Sequence, residues 1–490
     1  MKKIEINPMT RLEGHGKIII FLDDKGNLDD AFMQTVEFVG YEKILKGLPV
    51  EEVPRVVSTI CGVCRGVHFT ASMKASDEIF GVKPTPTAQK IREIFYNAHI
   101  VEDHTAVMYA FCFPDFICGL FSSPSERNLM GLFKKIGAEL GREILKKRAG
   151  ALKIFEILGG RPSHPVTALP GGWAKSVTEE ERKEILKIAD ELIELGKLTL
   201  KIFEDYIIKN KEYEEIFRSD VYKVVLNYLG GVDENDKIAF YDGTYKFIDT
   251  KGNEIGRFKN REYLEYIAEK TLPWSYTKAP YLKKLGWKGF MDGEETSLYS
   301  VGPLARFNVG KGFNTALAQE ACEKMVDYYG GKPVHNILAY HWARAIELLS
   351  AAENIKKLAS DESITDKNVR QEVKNFTGEG IGIVEAPRGT LIHHYRTDEK
   401  AIVREANLIV ATTHNKGAVN LAIRKAGRHF IKAGKVDNGI LNLIEMVYRA
   451  YDLCFACATH AINSIIPFHV YYIYAHDGEL IKEIRNYEIS

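Results

Sequence analysis

Apolar residues recur along this chain with two different periods, and the alternation between them outlines the fold. Near the start, Lys17 to Leu22 is rich in β-branched residues. The turn-forming cluster Asp23-Asp24-Lys25-Gly26-Asn27 follows, and Asp29 to Phe38 answers it, predicting a β-hairpin over about 17–38. Helical periodicity then takes over. Thr178 with Glu181 three residues on has the form of a capping box, and Ile185, Ile188, Ala189, Leu192 and Leu195 after it mark one apolar helix face. Lys237 to Phe258 returns to strand character, punctuated by Asp242-Gly243 and Lys251-Gly252-Asn253, which predicts a small β-ribbon insertion. Asn314 to Leu358 and residues 400–465 read as largely helical. No internal repeat and no linker rich in Gly, Ser or Pro breaks the chain. The expected class is α+β, predominantly α, with a helical core and peripheral β-hairpins.

Composition narrows the function classes. The 66 basic and 66 acidic side chains give a formal charge of zero, which argues against nucleic acid as a partner. At 45% hydrophobic and 11% aromatic residues, the chain can bury a large core and is not disordered. A membrane-spanning helix is not expected: the nearest candidate, Val107 to Phe121, is interrupted by Pro114 and Asp115. The first residues, Met1-Lys2-Lys3-Ile4-Glu5-Ile6, lack the apolar core of a secretion signal.

The cysteines change the picture most. There are seven, at positions 61, 64, 112, 118, 322, 454 and 457, an odd count that suits a reducing compartment better than a disulfide framework. Four of them form two Cys-x-x-Cys pairs, Cys61/Cys64 followed by His68 and Cys454/Cys457 followed by His460, about 390 residues apart. Brought together, two such pairs supply four thiolates, a complete set of donors for a soft metal. Spacing alone leaves structural zinc, an iron–sulfur centre or two separate redox pairs open. Zinc knuckles usually draw both pairs from one short segment rich in Gly and Lys, whereas these pairs bracket nearly the whole chain and sit in hydrophobic sequence. A site closed only when both ends of a large protein meet has the character of a buried catalytic centre.

Cys61-Gly62-Val63-Cys64 with His68, and Asp452-x-Cys454-x-x-Cys457-x-x-His460, resemble the two end motifs of the large subunit of nickel–iron hydrogenases. The likeness extends to Arg11-Leu12-Glu13-Gly14-His15, Gly40-Tyr41-Glu42, Tyr299 to Arg306 and Glu385-Ala386-Pro387-Arg388-Gly389, in the family's order. It implies one large catalytic domain over 1–460 and reversible cleavage of H2 at a nickel–iron centre whose iron carries carbon monoxide and cyanide. By position, Cys61 and Cys454 would be terminal nickel ligands, and Cys64 and Cys457 would bridge both metals. Glu13 would open the proton exit path. Glu42 and His460, with a backbone carbonyl, would hold magnesium. Arg388, after Pro387, would overhang the metals and face the diatomic ligands. Asp115 and Asp452 would lie around that arginine, Asp115 paired with it and Asp452 orienting it or the cysteine pair.

Each of these residues also has a plainer reading. Glu13 could be a solvated charge, Arg11 a surface ion pair, Glu42 an exposed helix residue and Asp115 a helix-end cap. His68 is expected to hydrogen-bond a cysteine sulfur, and Cys112, Cys118 and Cys322 to be small buried hydrophobes. Three positions depart from the family pattern: Val39 stands for arginine, Leu453 for proline, and His414 for glutamine or tryptophan.

The resemblance also bears on the chain's end and its partners. Family members normally finish at the histidine after the last cysteine, once a maturation protease removes an extension; here residues 461–490 follow His460, reading as helix into strand with a turn at Asp477-Gly478. Three isolated cysteines cannot hold an iron–sulfur cluster, and no glycine-rich nucleotide fingerprint follows a strand. The two electrons from H2 therefore require an iron–sulfur small subunit, with further subunits carrying flavin or contacting the final acceptor. The chain is most like the cytoplasmic, multisubunit, bidirectional and archaeal types. A scaffold with a four-thiolate zinc site and a regulatory hydrogen sensor are the competing readings.

Overall fold

The protein begins with an antiparallel sheet. In this computed structural model, which describes residues 2–459 except 38 and 273 together with two strands of the tail, β1 (Lys2–Ile6), β2 (Gly16–Leu22) and β3 (Leu28–Thr35) pair in chain order. Ile18, Ile20 and Leu22 point into the core at alternate positions, and the Asp23 carboxylate accepts the backbone N–H groups of Lys25 and Asn27 to close the turn. The hairpin lies where its pattern places it. Strand β1, too short and charged to announce itself, adds to its edge.

Helix α1 (Arg65–Ile79) starts directly after Cys64 and is buried on nearly every side. Helix α2 (Pro86–Ala106) is capped by Thr85, whose hydroxyl accepts the Ala88 N–H. It widens into a π-turn at 107–112 before the short helix α3 (Phe113–Ile117). The expected amphipathic helix is α4 (Glu179–Phe203), with the Thr178–Glu181 capping box formed and Ile185, Ala189, Leu192 and Leu195 fully buried.

The predicted β-ribbon is only half right. Residues 237–243 are not strand. The pair β5 (Thr244–Ile248) and β6 (Glu254–Phe258) extends a four-stranded sheet in which β4 (Asn227–Val232) is central and β7 (Tyr299–Ser300) pairs with it in parallel. It is part of the core, because β4 is buried along its whole length. The helical stretch from 314 resolves into α5 (Ala316–Tyr329) and α6 (Ala339–Ala359), separated at Gly330, Gly331 and Pro333.

The antiparallel sheet β8 (Glu379–Ala386), β9 (Gly389–Thr397) and β10 (Val403–Ile409) has no counterpart in the expectations, and β10 overturns the helical reading of the stretch from 400. Strands β8 and β9 are buried on both faces, so they carry no alternation to read. Helix α1 lies directly on this sheet: a side chain at Gly382 would sit 1.8 Å from the Ala71 carbonyl, and one at Gly380 2.1 Å from that of Ala75. The rest of that stretch is helical, with α7 (Lys416–Phe430) and α8 (Asn438–Tyr451). In the tail, Phe468–Tyr472 and Lys482–Asn486 pair antiparallel; the expected turn at 477–478 lies outside the described residues. One hydrophobic cluster runs from Ile6 to Ala458. Among the described residues, no helix is long and apolar enough to cross a membrane.

Candidate metal centre

The two ends of the chain meet around four sulfurs. Cys61 and Cys64 occupy the turn that leads into α1, where the Cys64 N–H points at the Cys61 Sγ, 3.0 Å away. At the other end, Asp452 takes a left-handed conformation (φ 59°) that stops α8 and swings the following residues back. Cys454 then forms a parallel bridge with Glu13: the Glu13 N–H donates to the Leu453 carbonyl (3.2 Å) and the Phe455 N–H to the Glu13 carbonyl (3.0 Å). The Cys454 N–H is held by the Thr412 hydroxyl at 2.9 Å.

The four Sγ atoms all lie within 4.8 Å of one another, with contacts of 3.4–3.6 Å across the pairs and 2.7 Å between Cys454 and Cys457. All four are free cysteines and almost fully buried. Burial drives the Cys454 and Cys457 thiols well up, while hydrogen bonds from those thiols pull Cys61 well down and Cys64 to about 7. The protein by itself stabilises only part of the set as thiolates. Ionising all four here takes a cation, so the donor set fits a soft metal bound through sulfur.

A cavity of about 20 Å³ opens beside the sulfurs, walled by Cys64, Cys454 and Cys457 with Val67, His68, Pro387, Arg388, Leu391, Val410 and Thr412. Arg388 is the one arginine or lysine in its lining and stands in the turn between β8 and β9. That guanidinium lies 3.3 Å from the Cys64 Sγ and donates to Asp103 (2.8 Å) and Asp452 (3.0 Å). The turn is pinned from behind. Arg306 donates to the carbonyls of Ala386 (2.8 Å) and Pro387 (3.2 Å) while forking onto Glu347 (2.6 Å) and reaching Glu385 (2.7 Å). Gly302 must lack a side chain, because a Cβ there would come within 2.6 Å of the Arg388 carbonyl.

At Cys454, the Glu13 carboxylate lies 2.9 Å from the Sγ and accepts the Ala456 N–H (3.3 Å). Burial raises this carboxyl above its ordinary range, against the lowering effect of the Cys454 hydrogen bond.

The structure thus brings Cys61, Cys64, Cys454, Cys457, Glu13, Pro387, Arg388 and Asp452 into one place. It does not bring Asp115. Instead of pairing with Arg388, Asp115, on α3 just after the π-turn, sits among Arg11, Arg449 and Arg127, whose guanidinium groups satisfy its buried charge. The carboxylate facing Arg388 is Asp103, on α2, a residue sequence reading passed over. The available signal was the run Glu102-Asp103-His104, three consecutive ionisable residues after the apolar pair Ile100-Val101. Arg11, rather than a surface residue, is Asp115's partner. Glu42 is buried on a short helical turn, with the Leu408 N–H 3.4 Å from its Oε1, and so is not an exposed helix residue. His460, its expected companion, lies outside the described residues. His68 Nδ1 contacts His393 Nε2 at 3.0 Å. Cys112 and Cys322 are buried and Cys118 half-buried. Of the three departures, His414 meets the Tyr299 hydroxyl at 2.6 Å, the Val39 N–H donates to Thr459 (3.2 Å), and Leu453 supplies the carbonyl of the Glu13 bridge.

Comparison with known proteins agrees with this geometry. The family profile described as nickel-dependent hydrogenase matches residues 39–126 and 199–460, and one described as HoxL-like matches 3–38. The chain is 61% identical over 488 residues to an iron-sulfur subunit of the F420-non-reducing hydrogenase of Archaeoglobus profundus, covering 99% of this chain and all of that one. It is 36% identical to the beta chain of the NAD-reducing hydrogenase HoxS of Cupriavidus necator, over 95% and 96% of the two chains. Among solved structures, an NAD+-reducing [NiFe]-hydrogenase in the H2-reduced state superposes with a TM-score of 0.88 at 33% identity, covering 94% of this chain and all of that one. These matches favour an enzyme over a zinc scaffold. The chain belongs to the nickel-dependent hydrogenase family, as its large, catalytic subunit, which acts on H2.

Proposed function

We propose that Cys61, Cys64, Cys454 and Cys457 would hold a nickel–iron centre, all four as nickel ligands and Cys64 and Cys457 also as ligands of an iron carrying carbon monoxide and cyanide, with Pro387 and Arg388 beside it. The bound centre supplies the Lewis acidity and redox capacity for splitting H2 into protons and electrons. The observation that carries this reading is the buried four-sulfur cluster with the Glu13 carboxylate against Cys454 and the Arg388 guanidinium against Cys64. Glu13 Oε2, 2.9 Å from the Cys454 Sγ, is placed to take a proton from that sulfur and pass it outward. Arg388, kept charged by Asp103 and Asp452, offers N–H donors to whatever fills the cavity. Glu42 and His460 form the magnesium site of this proposal.

Several broader assignments belong with it. Residues 1–460 form one catalytic domain, and 461–490 are an extension removed by a maturation protease. Among the described residues there is no second cluster of three or more metal-ligating side chains, so the electrons leave through an iron–sulfur small subunit, with further electron-transfer subunits beyond it. The relatives named above are themselves parts of larger hydrogenases, two of their names specify reduction of NAD+, and the working place proposed here is the cytoplasm.

The test is anaerobic purification from the host with elemental analysis, intact mass and infrared spectroscopy. Nickel and iron near one each, a mass ending at His460, and cyanide and carbonyl bands are expected; zinc alone with no such bands would refute the reading. Replacing Glu13→Gln should leave metal content intact while hydrogen–deuterium exchange falls by about 10²-fold or more. Unchanged exchange would remove Glu13 from the proton path.

A further inference from the structure

The turn that carries the first sulfur pair has little to hold it from outside. Gly62 is exposed, and a side chain there would meet nothing within 4 Å. From inside, the guanidinium of Arg65, the first residue of α1, donates to the Gly62 carbonyl. Arg65 is buried, and its other terminal nitrogen lies 3.4 Å from the carboxylate of Glu102 on α2. Glu102, also buried, is gripped in turn by Arg148, which donates to its carboxylate and, at 3.2 Å, to its backbone carbonyl. Arg148 belongs to the helix Ala138–Gly159, and Phe155 of the same helix places its ring centre 5.3 Å from the Arg65 guanidinium. That helix lies within residues 127–198, between the two stretches matched by the nickel-dependent hydrogenase profile. The proposed chemistry uses none of these side chains.

A row of three charges thus runs from the surface to the cysteine turn: Arg148, with 30% of its side chain exposed, then Glu102, then Arg65. A guanidinium is planar and rigid, so its direction is set where it is gripped. Arg65 meets Gly62 with one nitrogen and Glu102 with another, which fixes the Gly62 peptide between the two cysteines. Burial raises the Glu102 carboxyl while Arg148 and Arg65 lower it, so each cation helps keep the acid ionised for the other. Glu102 also precedes Asp103, so two consecutive residues of α2 brace the cysteine turn and Arg388. We propose that Arg65, oriented by Glu102 and Arg148, is a positioning residue that holds Cys61 and Cys64 in their metal-binding arrangement before any metal arrives. Partners of this kind, which touch the ligand segment rather than the metal, change metal affinity by about 10–100-fold. The inference deepens the metal-centre reading and rests on it for the ligand set.

The test takes the full chain prepared free of metal, with Arg65→Met, Arg148→Met and the double variant, and titrates cadmium against a competing chelator by its thiolate absorption. Arg65→Met should weaken cadmium binding by about 10-fold or more, and Arg148→Met by less. The double variant should bind no more weakly than Arg65→Met alone, because Arg148 acts through Arg65. Hydrogen exchange gives a second readout that needs no metal. The Cys64 amide, which points at the Cys61 Sγ, should exchange faster in both single variants, by about 10-fold in Arg65→Met, with the C-terminal half of α1 unchanged. A merely structural role would lower Tm while leaving cadmium affinity and exchange at the turn where they were. That result, or losses that simply add in the double variant, would overturn the inference. If the natural chain failed to bind cadmium through its cysteines, the metal-centre reading would fall instead, and exchange at the Cys64 amide would still decide the clamp.

Discussion

Replacing Lys416→Met should stabilise the protein at pH 6 and do almost nothing at pH 9.5. Lys416 opens helix α7, is fully buried, donates to the Met33 carbonyl at 2.6 Å and lies 5.1 Å from the centre of the Trp274 ring; among the described residues, no carboxylate pairs with it. Burial lowers its pKa from 10.5 to about 7. Below pH 7 the ammonium is charged in both folded and unfolded chains, and folding bears the whole cost of burying it. Between pH 7 and 10.5 the unfolded chain binds the extra proton, so stability rises with pH and the cost disappears above 10.5. The size follows from 1.36 kcal/mol per pH unit: about 5 kcal/mol at pH 6 and about 1.4 kcal/mol at pH 9.5. Losing the bond to Met33 offsets about 1 kcal/mol. The variant should therefore gain about 4 kcal/mol at pH 6 and under about 1 kcal/mol at pH 9.5. An unfolding entropy of about 2.1 cal/mol/K per residue makes that a Tm increase of about 4 °C against less than about 1 °C. Scanning calorimetry of the two proteins side by side at both pH values measures it. A Tm difference independent of pH, or a less stable variant at pH 6, would refute the account of Lys416 as a buried charge without a counter-ion.

Four further outcomes bear on the site. Asp103→Asn should reduce turnover per nickel by about 10-fold or more, since Arg388 loses a charge-assisted bond of about 1.5–3 kcal/mol. Asp115→Asn should keep turnover but lower Tm, because three guanidinium groups lose their shared carboxylate; hydrogen uptake and calorimetry on both variants separate the two aspartates. Arg306→Lys should cost about 3–5 kcal/mol, visible as a fall in Tm, because an ammonium cannot span Glu347, Glu385 and two carbonyls at once. Cys457→Ser should abolish hydrogen uptake and lower metal content, and a variant that kept both would remove Cys457 from the ligand set.

Local chemistry was readable where one face of an element meets water. The 17–38 hairpin and the capped helix after Thr178 are legible because alternation or a 3.6-residue stripe survives at a half-buried surface. Strands β8 and β9 are not, since burial on both faces erases the period, and Arg404-Glu405-Ala406 in β10 are residues that favour a helix until the sheet claims them. The four cysteines stood out through their spacing. Asp103 did not, because what singles it out is a contact with Arg388 across 285 residues of sequence. Asp115 was misread for the same reason in reverse: its apolar surroundings demanded a partner without saying which of many arginines it would be.

The bridge between Glu13 and Cys454 ties together residues 441 positions apart. Chains fold from the N-terminus as they are made, and most of this core can collapse long before Cys454 has been synthesised. Half of the sulfur pocket is thus delivered late, and the segment that receives it is among the first. A prematurely terminated chain could bury much of its apolar surface and still present only Cys61 and Cys64 to an ion. Possession of the complete pocket therefore certifies that translation has passed Cys457, and two backbone hydrogen bonds close it.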